Sequence, residues 1–202
     1  MKSAPSVKKK VGILGGSFDP VHFGHLNLAI SLMESCSLDG VLFVPTRLSP
    51  FKENAPPHVS VEHRLAMLKI ALSVIDKFRI IDWEIHGQGP AYTIDTVRRL
   101  SQDHTLELHL LIGEDHLPSF HRWKEVEELI QLAPPLIGAR EGASAFDTLP
   151  SQMQEKLRHG RVKIPLFDIS STHIRERLAH KKYCGHLVPA EVLQYIQQNQ
   201  LY

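Results

Sequence analysis

Short apolar runs alternate with amphipathic stretches along most of the chain. Val11-Gly12-Ile13-Leu14 predicts a strand, a glycine turn follows it, and residues 26–33 predict a helix. Val41-Leu42-Phe43-Val44, stopped by Pro45, predicts a second, buried strand, and the polar, proline-rich residues 46–59 predict a loop. Ser60 is placed to cap a helix whose apolar stripe is Val61, Leu65, Leu68, Leu72 and Ile75. Further strands are expected at 78–82, 106–112, 136–138 and 162–167. Further helices are expected at 93–100, around 123–132, and at 151–159, 172–180 and 189–199, with loops at 84–91 and 141–150. Alternation of this kind predicts an α/β fold: a mostly parallel sheet, helices on both faces, and a small C-terminal helical part. Crossovers should be right-handed, and a ligand should sit beyond the carboxyl ends of the strands, near the switch point of strand order. Residues 1–10 read as a flexible tail and 11–202 as one domain, with no internal repeat.

Composition narrows this picture only a little. At 202 residues the chain suits a single domain, and 43% hydrophobic with 22% charged residues is the balance of a globular protein in water. A formal charge of +1 gives no field that would favour nucleic acid or an acidic membrane surface, and neither partner is expected. Cys36 and Cys184 are far apart and read as reduced thiols, which suits a cytoplasmic protein. No run approaches the ~20 apolar residues of a membrane span, and the basic start, Met1 to Lys10, is not followed by a signal-peptide apolar region.

The chemistry gathers at two places. The first is Gly15-Gly16-Ser17-Phe18-Asp19-Pro20-Val21-His22-Phe23-Gly24-His25, between the first strand and its helix. Glycines allow a tight turn and close approach of a ligand to the backbone. The helix start offers unpaired N–H groups and a positive dipole end, which suit phosphate. His22 and His25 are three apart and share a face if the helix begins near Val21. Neither Gly-x-Gly-x-x-Gly nor Gly-Lys-Ser/Thr is present, so a nucleotide would be held another way. Histidines can donate to phosphate oxygens and, as imidazolium, add charge. Phosphoryl-type transfer asks mainly for positioning and charge neutralisation. The plainer alternative is that the two histidines cap the helix or fill a gap; a zinc pair lacks a nearby third ligand.

The second place is Ile169-Ser170-Ser171-Thr172-His173-Ile174-Arg175. Three consecutive hydroxyls at a helix start can bind phosphate, and Arg175, one turn in, can reach the same anion. A plain N-cap with a surface arginine is the alternative. Lesser candidates each have a structural counterpart. Lys52 is a phosphate contact or a solvated lysine, Tyr92-Thr93 a ring pocket or a helix cap. Trp123 is a stacking platform or a packing residue, and Asp115 a ribose contact or a helix cap.

These residues carry a resemblance. His22-Phe23-Gly24-His25 resembles the (H/T)xGH signature of the nucleotidyltransferase superfamily, and 169–175 resembles its ISSTxIR element. Between them, Gly89-Pro90-Ala91-Tyr92-Thr93, Leu111-Ile112-Gly113-Glu114-Asp115 and Trp123 resemble the bacterial-type nicotinate mononucleotide adenylyltransferases. So does the ending, from Leu187-Val188-Pro189 to Tyr202. The resemblance implies a single Rossmann-like nucleotidyltransferase domain acting in NAD biosynthesis. It would transfer the adenylyl group of ATP, with Mg2+, to nicotinate mononucleotide, giving deamido-NAD and pyrophosphate. It implies catalytic roles for His22, His25 and Arg175, and ATP contacts from Gly15, Gly16, Ser17, Phe18, Gly113, Asp115, Ser171 and Thr172. Lys52, Tyr92, Thr93, Trp123 and Arg140 would meet the mononucleotide. No protein metal ligand and no protein nucleophile is implied. Two loops depart from the family pattern: Leu48-Ser49-Pro50-Phe51-Lys52 stands where Pro-Pro-His-Lys is common, and Arg140-Glu141-Gly142 where Arg-Pro-Gly is common. The rival readings are another acceptor, nicotinamide mononucleotide or phosphopantetheine, or a nucleotide-binding module without turnover. A homo-oligomer is compatible with the sequence.

Overall fold

In a computed structural model that describes residues 7–48, 56–87, 91–139, 145–165 and 167–202, β1 (Lys9–Gly16), α1 (Phe23–Ser35), β2 (Gly40–Pro45), α2 (Val61–Leu72) and β3 (Phe78–Ile80) form the first half. After a one-turn α3 (Trp83–His86), the second half runs α4 (Thr93–Ser101), β4 (Leu106–Gly113), α5 (Leu117–Phe120), α6 (Val126–Leu132), β5 (Pro135–Ala139), α7 (Ser151–Leu157) and β6 (Arg161–Lys163). Helices α8 (Ser171–Ala179) and α9 (Ala190–Gln198) follow. The sheet has six strands in the order β3-β2-β1-β4-β5-β6, every pair parallel. This is the expected doubly wound arrangement, with its switch point between β1 and β4.

The strands are apolar runs because both faces of the sheet are covered. Alternate residues feed opposite layers. Leu14, Val41 and Phe43 join α1, α2, α8 and α9 in one core. Ile13, Val44, Leu108 and Leu110 join α4, α6 and α7 in the other. Strand register brings the carboxyl ends level: Gly16 lies opposite Pro45, and Gly113 opposite Gly138.

Several boundaries differ from the sequence expectation. Lys9 and Lys10, assigned to a tail, pair with Leu106 and Glu107 as the first residues of β1. The expected loop at 84–91 begins with the helical turn α3. The last strand has three residues, and the helix expected around 123–132 begins at Val126, leaving Trp123 in the preceding turn. The buried face of α2 keeps Leu68 and Leu72 of the expected stripe but adds Arg64, Met67 and Ala71, with Val61 and Leu65 only half-buried. A buried arginine turns the helix away from the purely apolar register, for a reason found at the turn after β1.

Candidate active site

The turn after β1 is built on buried side chains. Phe18 holds the left-handed conformation (φ 48°), is 1% exposed, and packs against Phe43 and the edge of the His25 ring. It was expected to touch nucleotide, but its side chain belongs to the core. The left-handed backbone of the turn thus falls on Phe18, a conformation uncommon outside glycine. Arg64 lies beneath, 1% exposed, its Nη1 donating to the carbonyls of Ser17 and Thr46 at 2.7 Å each. Among the described residues, a side chain at Gly15 would meet nothing within 4 Å, so they leave the space above the end of β1 open.

His22 occupies the N-cap position of α1 and His25 is its N3 residue. The His22 backbone N–H donates to Nδ1 of His25 (3.3 Å), and the two rings stack with centroids 3.7 Å apart. That bond leaves the proton of a neutral His25 ring on Nε2, which makes this nitrogen a donor. His22 is buried, and burial lowers its pKa to about 4, with the Asp115 carboxylate opposing the shift. It is therefore neutral near pH 7, and of the two means expected of it, donation remains and imidazolium charge does not. Its Nδ1 has no hydrogen-bond partner among the described residues. β1 and β4 are adjacent parallel strands, so their carboxyl ends, leading to His22 and Asp115, lie side by side. Asp115 is 81% exposed, near His116 (3.8 Å), and its Oδ1 lies 2.5 Å from where a side chain at Gly113 would begin.

The 169–175 element docks directly on this turn. Ser171 Oγ donates to the Pro20 carbonyl (2.9 Å), across the cis Asp19-Pro20 bond from the Asp19 carbonyl, which accepts from Arg175 Nη1 at 2.7 Å. Arg175 Nη2 donates to Thr172 Oγ1 (3.2 Å), and Ser170, not Ser171, caps α8 by accepting from the His173 N–H. A side chain at Gly24 would approach the His22 ring to 3.0 Å and the Ile169 carbonyl to 3.4 Å. Glycine there lets the two elements meet. The two motifs expected to share a nucleotide are therefore in contact.

Tyr92, Thr93 and Trp123 lie on the other face. Tyr92 caps α4 and Thr93 begins it. Lys124, beside Trp123, sits 4.4 Å from the Tyr92 ring centroid and 3.4 Å from Asp95. Trp123 packs on Phe120 and His116. Lys52 and Arg140 lie outside the described residues. The sequence reading missed Asp19, Arg64, His116 and Tyr202. Arg64 shares a helix face with Leu68 and Ala71, but what draws it inward, the carbonyls of Ser17 and Thr46, is remote in sequence.

Residues 13–177 match the family model described as "Cytidylyltransferase-like". The chain is 36% identical over 194 residues to a probable nicotinate-nucleotide adenylyltransferase of Methylacidiphilum infernorum, covering 96% of this chain and 92% of that protein. It is 35% identical over 208 residues to one of Rhodopirellula baltica, covering 100% and 97%. The chain belongs to the cytidylyltransferase-like family. The fold is also that of the Plasmodium falciparum nicotinic acid mononucleotide adenylyltransferase, solved in complex with NaAD (TM-score 0.73, 20% identity, 96% of this chain and 97% of that one). The family match, residues 13–177, spans both the turn after β1 and the 169–175 element. Among the described residues no helix is long and apolar enough to cross a membrane, and no group of three or more His, Cys, Asp or Glu could hold a metal ion.

Proposed function

We propose that this protein is a nicotinate-nucleotide adenylyltransferase, as its relatives at about 35% identity are named. It converts ATP and nicotinate mononucleotide to deamido-NAD and pyrophosphate. The observation that carries the reading is the joint made by His22, His25, Ser171 and Arg175 around Asp19-Pro20, at the switch point of the sheet.

An oxygen of the mononucleotide phosphate attacks the α-phosphorus of ATP. The bond to the bridging α–β oxygen breaks, and pyrophosphate leaves with the negative charge. Such a step needs alignment and stabilisation of charge rather than a covalent intermediate. His25 Nε2 donates to the phosphates as charge moves toward the leaving group, and His22, neutral in the free enzyme, supplies its ring to the same region. Arg175 meets the β- and γ-phosphates while anchored through Asp19. The N-terminal N–H groups of α8, including those of Ser171 and Thr172, add donors. Gly15 and Gly16 give the nucleotide room, Ser17 borders it, and Gly113 and Asp115 meet ribose. Magnesium would accompany ATP as part of that substrate and screen its phosphate charge. Tyr92, Thr93 and Trp123 frame the pyridine ring, with Lys52 and Arg140 assigned to the mononucleotide phosphate. A cytoplasmic site of action, where ATP is present, goes with this reading.

The test is purified protein with ATP, Mg2+ and each mononucleotide, following pyrophosphate. Release should be fastest with nicotinate mononucleotide. No release with any acceptor would overturn the enzyme reading, and faster release with the nicotinamide form would overturn the substrate assignment.

A further inference from the structure

Asp19 is a carboxylate buried to 4% exposure inside the turn after β1. Such a charge needs full hydrogen bonding. Oδ2 accepts the His58 N–H at 2.8 Å, with the His58 ring at 3.5 Å and Arg175 Nη1 at 4.0 Å. Oδ1 accepts the phenol of Tyr202 at 2.7 Å, a contact between residues 183 positions apart. The same aspartate's carbonyl holds Arg175. Tyr202 is set for this task. Leu201 N–H bonds back to the Ile196 carbonyl, Gln200 and Tyr202 take left-handed conformations, and Tyr202 packs on the core shared by α1, α2 and α9.

We propose that Tyr202 is a positioning residue for adenylyl transfer: its phenol fixes the Asp19 carboxylate, so that the Asp19 carbonyl and Arg175 keep their places beside His22. Burial and the Asp19 charge raise the phenol's pKa far above its usual value, so it stays a donor at every working pH. Phenylalanine at 202 would keep the ring packing and remove one charge-assisted bond, leaving a buried carboxylate oxygen short of a donor. Arg175 would then lose its alignment with the phosphates. The acceptor pocket at Tyr92 and Trp123, on the opposite face of the sheet, would be untouched. The inference rests on the assignment of His22, His25 and Arg175 to the phosphates.

The experiment compares wild type, Tyr202→Phe and Tyr195→Phe for kcat, both KM values and thermal melting, with rates normalised to folded protein. Tyr195, on α9 seven residues before Tyr202, is the control, since its hydroxyl bonds His63 (2.9 Å) and not Asp19. Tyr202→Phe is expected to lower kcat about tenfold or more, with the KM for mononucleotide unchanged and Tyr195→Phe behaving as wild type. In an Asp19→Asn background, Tyr202→Phe should add little further loss. A Tyr202→Phe protein with wild-type kcat per folded molecule overturns the inference alone, as does an equal loss in Tyr195→Phe. A wild type that makes no pyrophosphate overturns the function and this inference with it.

Discussion

Burial decides the protonation of His22. The folded state holds it neutral down to about pH 4, whereas the unfolded chain takes up its proton near 6.5. Between those values the unfolded state binds more protons, so stability falls as pH drops from about 6.5 toward 4. The loss from this residue at pH 5 is about 2 kcal/mol. Urea unfolding at pH 7.5 and pH 5 checks this: His22→Asn should narrow the stability difference between the two by about that amount. Gly15 offers the complementary test. Among the described residues, a methyl there meets nothing within 4 Å. Gly15→Ala should therefore melt as wild type but raise the KM for ATP, about tenfold for a methyl intruding on bound nucleotide. An unchanged KM would remove Gly15 from the site. Both histidines and both glycines were legible because they sit in one compact stretch of sequence. The Asp19–Tyr202 contact was not, because nothing local to either residue points across 183 positions.

At the scale of elements, apolar runs located the strands well, since parallel strands buried on both faces have little choice of residue. Short elements were harder to read. β3 and β6 have three residues each, α3 is a single turn, and such pieces are held by neighbours rather than by their own pattern. The register of α2 was misjudged because hydrophobicity alone cannot anticipate that Arg64 is drawn inward by the carbonyls of Ser17 and Thr46. On the other face, Arg98 of α4 clasps Glu125 and Glu128, at the start of α6 and just beyond Trp123. Exposed pairs of this kind contribute little to stability. The clasp ties α4, which begins just after Tyr92, to the start of α6, just after the Trp123 turn. Arg98→Ala should leave the melting temperature nearly unchanged while raising the KM for mononucleotide about threefold or more, with the KM for ATP constant. A shift in both KM values would separate the clasp from the acceptor pocket.

At the scale of the molecule, the alternation of strand and helix was sufficient to anticipate a parallel sheet and a ligand at the ends of its central strands. The observed order places α1 and Asp115 on either side of the switch point, as a doubly wound sheet requires. Strand order itself, and the docking of 169–175 onto Asp19-Pro20, needed three dimensions. In the function proposed here, the phosphates lie at the β1 turn and the pyridine ring by α4. The central claim is that transfer happens where His25 offers Nε2, and turnover of His25→Ala tests it most directly. Turnover should fall about 100-fold or more, as on loss of a preorganised donor at a reacting centre, with unfolding little changed. Normal turnover per folded molecule, with stability reduced instead, would make His25 a packing residue and contradict the account.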